Sequence, residues 1–338
     1  MTSRLKFFAS RWLMLAAFGL PGPSFSAVDV VASFSILGDI TQRVGGDRIK
    51  VHTLVGQNAD AHVYQPTTTD AKTLARARLV VVNGLGFEGW IDRLIKSSGY
   101  RGSVVTASSG IRTLARGESG DAHDHHDHAG HSDPHAWQDL SNAARYVDNI
   151  RNALIDIDPE GKSNYQANAD QFRQEIAALD AEVRQNFKKI PKDRLKVVTT
   201  HDAFGYFGQA YGIAFIAPVG VNTDAEPSAA DIGRIIKQIR REKIPAVFME
   251  SISDSRLLER IRQESGARIG GTLYSDALSK TDGPAATYLE MMRHNARTLL
   301  EALNEWLVGP SAPLEARTTN RRYHLCSLLA IDPAWLSE

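Results

Sequence analysis

From position 28 onward the chain alternates short apolar runs with stretches of helical spacing. Residues 28–34, 51–55, 79–82 and 104–105 are the first apolar runs, each of a length suited to a buried strand. Between them, 36–44 and 67–75 carry apolar positions at helical spacing, and Thr67-Thr-Thr-Asp70 is a capping-box-like helix start. The same spacing predicts a helix over 141–155. Asp158-Pro159 is a further start signal, after which Tyr165, Phe172, Ile176, Leu179, Val183 and Phe187 recur at steps of seven, four, three, four and four. That pattern predicts one long helix over 159–189, roughly 45 Å at about 1.5 Å per residue, ended by Ile190-Pro191. The alternation then resumes. Strands are predicted over 195–199, 213–217, 246–249 and 267–272. Helices are predicted from the second capping-box-like pattern, Ser228-Ala-Ala-Asp231, to Glu242, and over 255–265 and 284–307. Strands alternating with helices build parallel sheets. The expected fold is therefore α/β, with two parallel-sheet lobes, flanking helices and one long rigid helix between them.

Three segments fall outside this rhythm. Residues 1–26 have a basic start (Arg4, Lys6, Arg11), a short apolar run from Trp12 to Leu20, a Pro21-Gly22-Pro23 break and small residues at Ser24 and Ser26. This is the pattern of a signal peptide cleaved after Ser26, the run being too short to span a bilayer. Residues 117–133 are mostly Gly, Asp, Ser and His and predict a loop. Residues 309–338, with Gly309-Pro310 and Pro313 at their start, form a tail without a predicted structure. The expected division is thus 1–26 signal, 27–157 first lobe, 158–190 linking helix, 191–308 second lobe and 309–338 tail.

Composition narrows the function. At 43% hydrophobic and 23% charged the chain is an ordinary globular one. Its 39 basic and 39 acidic residues balance, which argues against a nucleic-acid partner. Loss of residues 1–26 removes three basic residues and no acidic one, leaving 36 against 39. The single cysteine, Cys326, rules out an internal disulfide, and no cysteine stands at the cleavage point to carry a lipid. The expected location is the periplasm, free of a lipid anchor.

Eleven histidines are present, and their placement carries the chemistry. Ligands of open α/β sheets bind beyond the carboxyl ends of the strands. His62 follows the strand over 51–55, His201 follows the strand over 195–199, and Asp276 follows the strand over 267–272. His135 stands just before the 141–155 helix and just after the loop. Three neutral imidazoles and a carboxylate form a set that zinc takes in tetrahedral geometry, whereas manganese favours a larger share of oxygen. Glu250, at the end of the strand over 246–249, is a rival ligand or a group that orients a histidine, and Asp202 beside His201 is a weaker candidate of the same kind. His123, His125, His126, His128 and His131 crowd the loop, and such tracts bind metal weakly. They are expected to add weak capture sites to one tight Zn(II) site. His52, His294 and His324 read as structural or surface residues.

Four motifs carry a resemblance. Asp60-Ala-His62-Val-Tyr64-Gln-Pro66, Asp133-Pro-His135-Ala-Trp137-Gln-Asp139, Thr200-His201-Asp-Ala-Phe-Gly-Tyr206-Phe and Gly270-Gly-Thr-Leu-Tyr274-Ser-Asp276 stand in order across both expected lobes. Together they resemble the cluster A-I solute-binding proteins of zinc and manganese ABC importers, over roughly residues 28 to 307. The loop before the second motif makes the AztC-type zinc-binding branch the nearest in appearance. The resemblance implies metal in the cleft between the lobes, with ligands at His62, His135, His201 and Asp276. Histidine at the third position resembles the zinc members. It also implies an ABC permease and its ATPase as partners, with a periplasmic metallochaperone as a further candidate and a monomeric state. The chain departs from the family in reading Asp-Ala-His where Asp-Pro-His is commoner. The same importer role with Mn(II) or Fe(II), a periplasmic zinc store or adhesin, and a zinc hydrolase are the alternatives. The last lacks a His-Glu-x-x-His or Gly-x-Ser-x-Gly motif.

Overall fold

A strand apolar on both faces has no solvent side and needs helices above and below it. The first strand, β1 (Val28–Phe34), is buried at every position from Val30 onward. The computed structural model describes residues 27–115 and 132–308, apart from 222, 225, 226 and 254. The expected signal segment, the five loop histidines and the tail lie outside the described residues.

The first half builds β1, α1 (Ser35–Gly45), β2 (Ile49–Val55), α2 (Thr68–Arg76), β3 (Leu79–Val82), α3 (Ile91–Ser98) and β4 (Ser103–Thr106). Its sheet runs in the order β2-β1-β3-β4 with every pair parallel, Val30 standing beside both Val51 and Leu79. α4 (Leu140–Ile157) and α5 (Lys162–Phe187) follow. The second half builds β5 (Lys196–Val198), α6 (Gly205–Tyr211), β6 (Ala214–Ile216), α7 (Ala229–Glu242), β7 (Ala246–Glu250), α8 (Ser255–Ser265), β8 (Arg268–Leu273) and α9 (Tyr288–Val308). Its parallel sheet runs β6-β5-β7-β8, the same order as the first, although no sequence repeat announces it.

Local chemistry explains the helix starts. At α2 the Thr67 hydroxyl accepts from the Asp70 amide at 3.2 Å, and the Asp70 carboxylate accepts from the Thr67 amide at 2.6 Å. Ser228 and Asp231 repeat this reciprocal cap at α7. Two expected boundaries move. Pro159–Gly161 is a tight 3-10 turn, so α5 begins at Lys162 and is about 39 Å long rather than 45 Å. α9 begins at Tyr288, not at Pro284. Thr287 and Glu290 form its cap, the Glu290 carboxylate accepting from the Thr287 amide at 3.0 Å.

The apolar face of α5 (Phe172, Ile176, Leu179, Val183, Phe187) is buried in one continuous core that takes in residues of both sheets. Phe187 packs against Phe207 and Tyr211 of α6, with centroids 5.9 and 6.2 Å apart. A separate, smaller core lies between the second sheet and α7 and α8, around Ile235, Ile239, Val247 and Leu258. The lobes are therefore joined by shared apolar packing as well as by the helix.

The start of α5 is fixed by an ion pair. Arg48 reaches both oxygens of Asp158, at 2.9 and 3.0 Å, and the Tyr165 hydroxyl donates to it at 2.6 Å. The Arg48 guanidinium, helped by that hydroxyl, holds the Asp158 carboxyl below its usual range. A depressed folded-state value means stabilisation that is present above the unfolded carboxyl value, near about 3.9, and is lost as pH falls through the folded value. Asp158→Asn is expected to cost about 1–3 kcal/mol at neutral pH. The gap to the parent should close in acid, below the carboxyl range. Urea midpoints of both proteins across pH check this, and a pH-independent gap would contradict it.

Candidate metal centre

The carboxyl ends of the strands in both sheets face one another, and four side chains converge there. His62 follows β2, His135 begins the short turn before α4, His201 follows β5 and Asp276 follows β8. One ligand atom from each lies within 4.8 Å of all the others. The His62 and His135 Nε2 atoms are 3.3 Å apart. The Asp276 oxygens lie 3.2 Å from His62 Nε2, 3.1 Å from His201 Nε2 and 3.5 Å from His135 Nε2. Donors on a tetrahedral ion at 2.0–2.2 Å stand about 3.4 Å from each other. These spacings match that value. Among the described residues only the candidate ligand imidazoles approach the Asp276 oxygens, so a buried carboxylate is left for a cation to satisfy. His135 and Asp276 are fully buried, His201 is 1% exposed and His62 is 9% exposed.

Each histidine is set by its neighbours. Asp60, two residues before His62, accepts its amide at 2.8 Å, and Asp133 does the same for His135 at 2.9 Å. Asp133 also meets the His135 ring at Nδ1, 2.8 Å away, which turns Nε2 toward the centre. At His201 this role falls to Glu250. One Glu250 oxygen lies 2.6 Å from Nδ1, while the other accepts from the amides of Thr200 and His201 at 2.8 and 2.9 Å. The sequence reading left Glu250 open between ligand and orienting group. The structure places it behind His201 and outside the group of converging atoms. Asp202 does not join that group either; its amide donates to Gly220.

Asp133 and Phe87 were missed from sequence. Phe87 lies edge-on to His62, with centroids 4.6 Å apart, and against Trp137 at 4.8 Å. The signal for Asp133 was present: an acidic residue stands two before both His62 and His135. Ala115 and Ser132, on either side of the undescribed residues 116–131, form a bridge next to Asp133. Across the lobes, Trp137 and Gln138 both donate to Ser275 O, at 2.9 and 2.7 Å, and the Tyr288 hydroxyl donates to Trp137 O at 2.6 Å.

Burial alone would disfavour charge on His201, but Glu250 and Asp276 outweigh it and hold the imidazole well above its usual value. Burial likewise opposes charge on Asp276, yet the His135 and His201 imidazoles hold it well below the usual carboxylate range. Glu250 is held low in the same way by His201. The pocket therefore pairs two ionised carboxylates with a basic imidazole, and a metal ion that takes His201 as a ligand must displace its proton.

The family model of zinc-uptake complex component A, periplasmic, matches residues 30–302. The chain belongs to this family. Similar family relatives include the manganese-binding lipoprotein MntA of Halalkalibacterium halodurans, 32% identical over 82% of this chain and 88% of that protein. The iron-binding protein YfeA of Yersinia pestis is 33% identical over 84% and 89%. Among solved structures, the periplasmic zinc-binding protein TroA of Treponema pallidum superposes with a TM-score of 0.76 at 29% identity, covering 82% of this chain and 99% of that one. The family is one of metal-binding, substrate-binding components of ABC transporters, which act with a permease and an ATPase. Membership supports the cluster A-I resemblance and does not single out the AztC-type branch. Among the described residues no helix is long and apolar enough to cross a membrane.

Glu250→Gln is expected to weaken metal binding roughly 10–100-fold, the usual effect of losing a ligand's orienting partner. A chelator-competition titration measures this. Unchanged affinity would remove Glu250 from the site.

Proposed function

We propose that the protein captures one Zn(II) ion between its lobes, through His62, His135, His201 and Asp276, and delivers it to the ABC importer it serves. The observation that carries this reading is the convergence of three imidazole nitrogens and a buried carboxylate within 4.8 Å of one another. A nitrogen-rich set with a single carboxylate favours zinc over manganese. α5, within the linking segment 158–190, holds the lobes of 27–157 and 191–308 at a fixed spacing, so the ion binds both. The export signal of residues 1–26 accords with action in the periplasm.

Relatives named for manganese and iron favour a second reading, the same delivery role with Mn(II) or Fe(II). Metal analysis of the protein taken from its own periplasm, with paired Zn(II) and Mn(II) competition titrations, separates the two. Zinc is expected in the purified protein. A hundredfold excess of zinc over its Kd is expected to stabilise the fold by about 2.7 kcal/mol, read as a rise in melting temperature. His201→Ala is expected to lose most of the affinity and that rise. Wild-type zinc affinity in this variant would overturn the ligand set. The histidines of the 117–133 loop are proposed to gather zinc weakly and feed it to the pocket, with a metallochaperone as an upstream donor. Deleting 117–132 is expected to slow loading from a chelator. Unchanged loading kinetics would refute that role.

A further inference from the structure

The turn between β3 and α3, residues 83–90, supplies no ligand, yet it is built under constraint. Gly84, Leu85 and Gly86 have φ of +84°, +57° and +79°. Left-handed backbone is ordinary for glycine and unfavourable for leucine. Something beyond local backbone preference must hold it. That group is Glu88, whose buried carboxylate accepts from the Ser33 hydroxyl and the Asn83 amide, each at 2.6 Å, and from the Gly84 amide at 3.2 Å.

Three contacts run from this turn to the two histidines of the first lobe. Asn83 donates through Nδ2 to Pro134 O at 2.9 Å, one residue before His135, while its Oδ1 accepts from the Tyr146 hydroxyl of α4. Trp90 donates through Nε1 to Ala61 O at 2.8 Å, one residue before His62. Phe87, 1% exposed, lies edge-on to both rings, 4.6 Å from His62 and 5.9 Å from His135. The two Nε2 atoms these contacts surround are 3.3 Å apart. As ligands, both would turn a lone pair to the same point, so their separation sets part of the coordination geometry.

We propose that residues 83–90 form a bracket that fixes the separation of His62 and His135 before metal arrives, with Glu88 the positioning residue that keeps the bracket closed. The proposal rests on the reading of the pocket as a metal site. It assigns to a segment without ligands the work of setting the coordination geometry of one half of that site.

The test uses the full exported protein with Zn(II) for affinity and Co(II) for its visible absorption, which reports coordination geometry. Glu88→Gln keeps the side-chain volume but turns a donor toward amides that already donate. Trp90→Phe keeps the ring and removes only its N–H. Each is expected to weaken Zn(II) binding roughly 10-fold or more and to shift the Co(II) bands. Leu154→Ala, a fully buried α4 residue away from the bracket, serves as the control for lost stability alone. It is expected to lower the melting temperature and leave the Co(II) bands in place. Parent-like bands and affinity in both bracket variants would overturn the proposal. Should Glu88→Gln fail to fold, Trp90→Phe decides alone. A parent protein that takes up neither Zn(II) nor Co(II) would instead overturn the metal reading, and the bracket with it.

Discussion

A fully buried carboxylate met only by imidazoles is the constraint around which the rest of this molecule is arranged. Asp276 is fully buried between the lobes, ringed by imidazole nitrogens at 3.1 to 3.5 Å. An ionised group in that position is costly unless positive charge stands beside it. Every nearby element serves that requirement. β8 ends where the aspartate is needed, and β2 and β5 end where two of the imidazoles are needed. Asp133 and Glu250 then fix which nitrogen of His135 and His201 faces inward. The fold is a means of carrying groups from distant parts of the chain to one point without water.

The shared core makes that convergence durable. Two sheets of identical strand order would meet loosely if only a helix joined them. Here the face of α5 is sunk in apolar packing continuous from one sheet to the other. Interlobe hydrogen bonds at Ser275 and Trp137 pin the ligand motifs to each other directly. The relative position of the ligands is therefore set by packing as well as by hydrogen bonds. Domain pairs joined by large apolar contacts move little against one another.

Much of this was legible in the sequence, because it depends on local rules. The strand–helix alternation, the caps at Thr67 and Ser228, and the placement of histidines after strands all follow from short-range patterns. What escaped depends on contacts between distant residues. The end-of-strand position made Glu250 a candidate ligand or orienting group, but no spacing reveals that it backs His201 across 49 residues, or that Phe87 lies against His62. The continuous core was equally invisible, since apolar periodicity says which face is buried and not against what. The start of α9 was lost for a smaller reason. Pro284 marks the expected start, while the cap formed by Thr287, three residues on, and Glu290 decides it.

The depth of the four grouped side chains has a consequence for traffic. His135, His201 and Asp276 are exposed by 0 to 1%, and the His62 side chain by only 3%. Groups set this deep are reached only when the protein around them opens locally. Entry to and exit from the pocket are therefore governed by motion of the surrounding fold and not by its resting surface.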